Sequence, residues 1–535
     1  MSSHLRGSLV VVVLALAVGG SPSLGAQAAG GNLDAIASWV AVDSATGYEG
    51  RTSPALAAAI GWTADQWGNV VTTVGSGSPH HVVACALDRP SYAVTQITDE
   101  GYLRLHRIGR GSRHPLWDQQ FEAQQVRILT ATGPVAGVVA RSNGHFAQQH
   151  ARETAIVTAD DLWLDVGAES RADVERLGIA LLDPVGRHLP PWPMAGGIAG
   201  PDAGRRTGCA AVVTLATAAK LGKPVGRTTF VLSAQEATGW VGLSSLVARA
   251  DRVDQVTILA PGEPARAEAD RAAASLTNFG TVLQASGLKT VKWLAPAVDQ
   301  AGSHMELVRE TEARWLLETA ARSSGMALAA NQAWVAAPPR AALRTGHVDA
   351  SMTEAATALT NLAERYAVSS HEWSVRHAVL EALPTWARDR AIVDDIGNIM
   401  VEAGPDGPAT VFMAHMDEVG YQIESIAPDG TATLTARGGT VASAWEGQTA
   451  LVHFDPPGAP STSTGSGDDV DPRWKTQSIG ATAPPPLRGV FRLREKADSK
   501  DPGPLQAWFG LDAAGLASRG VKVGSSPGRC MKKAG

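Results

Sequence analysis

The sequence predicts an α/β protein, a mixed sheet flanked by helices, laid down twice within one chain of 535 residues. Two observations carry this. Short apolar runs of strand length alternate with stretches of helical periodicity, the pattern of a sheet covered by helices on both faces. The chain also contains itself: DQWGN (65–69) and VVACALDRPSYAV (82–94) return as DDIGN (394–398) and VFMAHMDEVGYQI (411–423), both pairs 329 positions apart. At about 100–200 residues per domain, the length allows roughly three or four structural units.

The elements follow in order. Arg6, the apolar run 9–18 (LVVVVLALAV) and Ala26-Gln27-Ala28 form a secretory signal pattern, cleaved after Ala28. The run is too short for a comfortable membrane span. The expected product is an exported protein, secreted or periplasmic, without a membrane partner. The first copy covers 31–350, and TGYEGR (46–51) near its start has a counterpart in SHEWSVR (370–376). VTTVGSGSPHHVVACAL (71–87) reads as strand, turn and apolar strand. GSGS (75–78) is read as a hairpin turn, because no Gly-Lys-Ser/Thr follows to make a phosphate loop. His80-His81 is read as a solvated strand opening. GPVAGVVAR (133–141) and the stretch 162–183 match PPLRGVFRLR (485–494) and the stretch 507–526. Cys209 opens CAAVVTLATAA, read as the buried face of a helix. Residues 305–326 read as a helix, with Leu307, Glu310, Arg314 and Glu318 at helical spacing, and 350–366 as a second one with Leu359, Leu362 and Ala363 on one side. IMVEAGPDGPATVFMAHM (399–416) again reads as strand, turn, strand. The Pro/Ser/Thr/Gly-rich stretch 455–486 reads as a surface loop. The second copy, 351–526, ends where the first has only reached Asp183. Residues 527–535 (PGRCMKKAG) are an unpatterned tail, and a frameshift or truncation after Gly524 is the expectation.

Composition excludes several functions. With 46 basic and 52 acidic side chains, a net charge of −6 and a pI near 6.2, no nucleic-acid partner is expected. Three cysteines (Cys85, Cys209, Cys530) make neither a disulfide framework nor a zinc cage. Ser233, Ser244 and Ser245 lie outside any Gly-x-Ser-x-Gly context. No Asp or Glu pair is singled out for glycoside hydrolysis.

The chemistry centres on His415. TVFMA before it reads as a buried strand, on which His415 and Asp417 point to the same side. An imidazole oriented by a carboxylate is what metal sites use. Asp395-Ile-Gly-Asn398, His415-Met-Asp417-Glu418-Val-Gly420 and the Gly/Thr-rich strand after them resemble the glutamyl-aminopeptidase or tetrahedral-aminopeptidase family of dinuclear metallopeptidases. The resemblance covers nearly all of both copies. It implies a zinc-exopeptidase-like fold with a small β domain inserted after the His-x-Asp strand of each copy. It implies two divalent metal ions, zinc or cobalt, a peptide substrate and self-association. By it His415 is a metal ligand, Asp417 its orienter, and Glu236 the general base.

The departures from that pattern set the functional expectation. Ala86 stands in the first copy where His415 stands in the second, beside a retained Asp88. The family's Asp-Asp-Arg-x-Gly-Cys meets Gly204-Arg205-Arg206-Thr207-Gly208-Cys209, and its Gln-Glu-Glu-x-Gly meets Gln235-Glu236-Ala237-Thr238-Gly239. ILAPGEP (258–264) offers no Asp, and His347 aligns only loosely with the family's last His. The expectation is an exported aminopeptidase-type protein with impaired hydrolysis, a degenerate first copy and a partial second copy. The alternative is a non-catalytic pseudoenzyme acting as a binding or assembly module.

Overall fold

The computed structural model describes residues 31–109, 116–141, 156–222, 225–345, 353–394, 397–405, 407, 409–440, 442, 445–454, 485–493 and 503–529. The signal pattern, His347, Cys530, nearly all of the Pro/Ser/Thr/Gly-rich stretch and the last six residues lie outside them.

The first part of the chain lays down β1 (Thr63–Ala64), β2 (Val70–Gly75) and β3 (His80–Ala86). There follow β4 (Ser91–Ile97), β5 (Leu103–Ile108), β6 (Gln125–Thr130), β7 (Gly133–Val139), β8 (Trp163–Asp165) and β9 (Pro184–Arg187). After β10 (Trp192–Met194) and β11 (Gly197–Gly200) come β12 (Arg227–Ser233), β13 (Gln255–Leu259), β14 (Ala267–Ala272), β15 (Thr290–Ala295) and β16 (Glu306–Arg309). Seven of these make one mixed sheet in the order β1-β2-β12-β3-β13-β15-β14, with β12, β3, β13 and β15 parallel. Alternation along β3 sends Val83 and Cys85 to one face and Val82, Ala84 and Ala86 to the other. The first face packs on the helix Ala203–Leu221, itself buried almost all round by its small side chains. The second packs on Leu243 and Val247 of the helix Val241–Arg249 and Phe279 and Leu283 of Thr277–Ala285. Each large apolar side chain so buried contributes about 1.5–3 kcal/mol. The predicted sheet with helices on both faces is therefore present. At Gly208 the helix comes so close to the sheet that an added Cβ would lie 2.8 Å from both the Ala260 Cβ and the Leu259 carbonyl oxygen.

The chain between β3 and β10 forms a closed barrel, β4-β5-β8-β7-β6-β9, around Tyr92, Val94, Leu103, Ile128, Val135, Leu164 and Val185. This is the inserted β domain, entered at Ser91, three residues after Asp88.

The later part holds β17 (Ile392–Val393), β18 (Ile399–Met400), β19 (Gly420–Ile426), β20 (Ala432–Arg437), β21 (Thr449–His453), β22 (Leu487–Phe491), β23 (Gln506–Trp508) and β24 (Ser526–Arg529). Six of them form a sheet in the order β19-β20-β23-β22-β21-β24, which is the strand order of the barrel. β19 and β20 lie 329 positions after β4 and β5, residue for residue. Backbone bonds join Ile423 to Gly524 and Ser525 at 2.9 and 2.8 Å, so β19 also meets the chain just before β24. This second sheet rests on the first part of the chain. Val490 and Trp508 join Trp192, Met194, Met305 and Leu307 in one apolar cluster, and Gln124 Nε2 donates to Gln448 Oε1 at 2.5 Å.

Several local expectations are corrected. GSGS is not a hairpin turn, because β12 lies between β2 and β3, antiparallel to one and parallel to the other. His80 is buried rather than solvated, its ring bonded to the Arg252 carbonyl at 2.6 Å and to Thr229 Oγ1 at 2.9 Å. Residues 305–326 divide into β16 and the helix Glu310–Ser323, because β16 pairs with β11. The helix Thr353–Ala363 buries none of its residues. The run 411–417 is not a buried strand: Val411, Phe412 and Met413 are 76, 94 and 91% exposed. Its counterpart β3 is held between β12 and β13, and among the described residues the second unit has no strands in those places.

Candidate functional site

Strands β3, β12 and β13 end side by side, where open α/β sheets gather their ligands. Three non-glycine residues at this edge hold left-handed backbone conformations: Asp202 at φ 53°, Gln235 at φ 59° and Ala260 at φ 49°. Such conformations cost of order 1–3 kcal/mol each and persist where surroundings over-determine them.

Asp88 is the hub. Its buried carboxylate accepts from the Glu236 N–H at 2.8 Å, the Ala237 N–H at 3.1 Å and Thr46 Oγ1 at 2.9 Å. The turn after β12 is thus tied to the end of β3 through backbone donors. The Glu236 carboxylate pairs with the Arg205 guanidinium, and the two side chains are only 16 and 21% exposed. Burial opposes the Arg205 charge, but Glu236, Asp202 and Asp88 outweigh it and raise the pKa above the usual arginine value. Two further carboxyls lie deep at this edge. Glu49 accepts from the Gln235 N–H at 2.8 Å, and burial, then the Asp88 charge, pushes it up to about 7. Glu306 accepts from Gly204 and Gly302 N–H at 3.2 and 2.9 Å, and burial, then Asp202, pushes it up to about 7 as well.

This set does not fit two dications. Ala86, Gly204, Ala237 and Ala260 bring no donor to the strand ends. The Asp88 oxygens face N–H and O–H donors, which a ligand carboxylate would have to give up. The Arg205 guanidinium already brings positive charge to Glu236 and packs so closely on Gly262 that an added Cβ there would lie 2.7 Å from Nε. Among the described residues no three His, Cys, Asp or Glu side chains group as metal ligands. The edge is instead an arginine-compensated carboxylate cluster.

In the second unit His415 Nδ1 lies 3.2 Å from Asp417 Oδ1 and 2.9 Å from its carbonyl oxygen. The expected pairing of these two residues is present, but the imidazole is 85% exposed and sits on no strand. Ser369 Oγ donates to Asp417 Oδ2 at 2.6 Å, as Thr46 does to Asp88, and that bond, more than His415, holds the Asp417 carboxyl below its usual range. The structure therefore brings Asp417 to His415 and leaves Glu236 with Arg205 and Asp88 in the other unit. The motif comparison passed over Thr46, Ser369, Glu49 and Glu306. The first three lie in TGYEGR and in the segment around SHEWSVR, where matched hydroxyl and acidic residues were a usable signal.

The profile described as M42 glutamyl aminopeptidase matches residues 68–278 and 397–460, just over half of the chain. A putative aminopeptidase, SgcX, of Escherichia coli (strain K12) is 31% identical over 159 residues, 29% of this chain and 41% of the relative. A lysyl aminopeptidase of Pyrococcus furiosus is 29% identical over 117 residues, 22% of this chain and 32% of the relative. The chain thus spans less than half the length of these curated relatives. Among solved structures, an aminopeptidase from the archaeon Desulfurococcus kamchatkensis aligns at 18% identity and TM-score 0.46, over 55% of this chain and 94% of that one. On the extent of the profile match, this chain belongs to the M42 glutamyl aminopeptidase family.

Proposed function

We propose that the chain is an exported, tandemly duplicated aminopeptidase-family protein that engages peptides and whose two-metal hydrolysis is impaired. The observation that carries the reading is the Arg205–Glu236 ion pair at the strand ends, where the family resemblance implies a general base beside two metal ions. The duplication is supported by the recurring strand order and by the repeated hydroxyl–Asp bonds of Thr46 and Ser369. Export rests on the pattern from Arg6 to Ala28, and N-terminal sequencing of the exported protein tests it. The non-catalytic reading has in its favour the same ion pair, together with acceptors on Asp88 already engaged.

The test of hydrolysis is elemental analysis after reconstitution with zinc or cobalt, beside His415→Ala, with an aminoacyl-anilide assay in parallel. The reading expects less than about a tenth of an ion per chain, unchanged by the substitution, and turnover at background. Two tightly held ions per chain, lost on His415→Ala, would overturn it. Peptide binding without turnover would favour the binding module.

A further inference from the structure

Behind the strand-end cluster, between the sheet and the barrel, lies a cavity of about 30 Å³. Its lining includes Ser44, Arg89, Ser91, Trp117, Arg187 and Asp202. Space on that scale admits a water or an ion of similar size. The lining has an unusual hydrogen-bonding balance. Ser44 Oγ, Ser91 Oγ, Trp117 Nε1 and Arg187 Nε and Nη1 are all buried, and none has a hydrogen-bond partner among the described residues. Arg89 Nε is in the same condition, 3.5 Å from Asp202 Oδ2 without hydrogen-bond geometry. Buried donors without acceptors are rare, and each costs about 1–3 kcal/mol.

The charge balance has the same sign. Arg187, only 8% exposed, is wedged against the rings of Phe121 and Trp117, 3.9 and 4.5 Å from its guanidinium carbon. Among the described residues, the one hydrogen bond of its guanidinium is a long one of 3.4 Å from Nη2 to the Trp117 carbonyl. Of the two carboxylates that line the cavity, Asp43 is already held by Arg127 and Arg340, and Asp202 lies against Arg89. Arg206, wholly buried, stands behind, and its Nε and Nη1 make no hydrogen bond among the described residues. Burial pulls Arg89 and Arg187 down to about 9 and about 10, so both remain cations at neutral pH. A water molecule accepts two hydrogen bonds and brings no charge, whereas a spherical anion accepts from every direction.

We propose that this cavity is a binding site for a halide-sized anion such as chloride, held by Arg187, Arg89, Ser44, Ser91 and Trp117. Because the lining comes from the start of the first unit, the end of β3 and the barrel, the bound ion clamps the barrel to the sheet.

The test compares thermal melting of the full chain in sodium gluconate and in sodium chloride at constant ionic strength, with crystals grown in sodium bromide for anomalous scattering. The expected result is a saturable rise in Tm of about 2–4 °C with chloride, and a bromide peak beside Arg187. Arg187→Met should abolish both. Since that variant removes packing as well, Ser44→Ala/Ser91→Ala serves as the milder probe and should weaken apparent chloride affinity at least about fivefold. Equal melting in the two salts, a chloride response without bromide in the cavity, or an unchanged affinity in the double variant would each overturn the proposal.

Discussion

Replacing Arg205 by methionine isolates what the arginine contributes to the strand-end cluster. The substitution keeps most of the stem and removes the cation that faces Glu236, with Asp88 and Asp202 close by. Two unit charges about 4 Å apart interact by about 4 kcal/mol at an effective dielectric near 20. Both side chains keep a small solvent exposure, so about 2–3 kcal/mol is a reasonable net loss, near the lower end for a broken buried pair. The assay is equilibrium urea unfolding followed by tryptophan fluorescence, on Arg205→Met, Glu236→Gln and the double variant. Arg205→Met should lower the unfolding midpoint, while the double variant should recover much of the loss, because no carboxylate is then left without its partner. A single variant as stable as the parent, or a double variant no better than the sum of the singles, would refute the claim that charge compensation holds this edge together.

Four further outcomes follow from the same structure. Glu49 and Glu306, raised from 4.5 to about 7, bind protons in the folded chain that the unfolded chain has released, so stability falls as pH rises from about 4.5 to 7 and levels off above. Glu49→Gln should flatten part of that slope, worth at most about 3 kcal/mol, in urea titrations at several pH values. Gly208→Ala should destabilise by about 1–3 kcal/mol in the same assay, since its Cβ meets Ala260 and Leu259 at 2.8 Å. Thr46→Ala should cost about 1 kcal/mol by removing one of the bonds to Asp88. Phe412→Ser, at a side chain 94% exposed, should leave the midpoint within about 0.5 kcal/mol and reduce light scattering on concentration.

What could be read from the residues divides along local and non-local lines. The unbroken apolar run VVACAL located β3, because its composition is a property of the segment alone, while which of its side chains face which helix layer is known only from the fold. The same reasoning misread TVFMA: an apolar run becomes a central strand only when neighbours pair with it. For β3 those neighbours, β12 and β13, arrive more than a hundred residues later. GSGS likewise reads as a hairpin, because nothing nearby announces that β12 will enter between β2 and β3. Polar residues hid in both directions. His80 is silent about its burial until Arg252 and Thr229 are brought to it, whereas His415 and Asp417 meet because two residues suffice. At the site, the lost ligands could be counted at Ala86, Gly204 and Ala237. That Arg205 would pair with Glu236 could not, since the turn holding Glu236 is placed by Asp88 from another strand.

The docking of the second sheet on β10, β11 and β16 has a kinetic side. Had the two units been separate molecules, Trp508 would reach Trp192 and Leu307 only as often as concentration allowed. Joined in one polypeptide, they meet at an effective concentration fixed by the connecting chain, of millimolar order for a short flexible tether. The contact therefore survives dilution that would dissociate a pair of free subunits, and its occupancy is independent of how much protein is made.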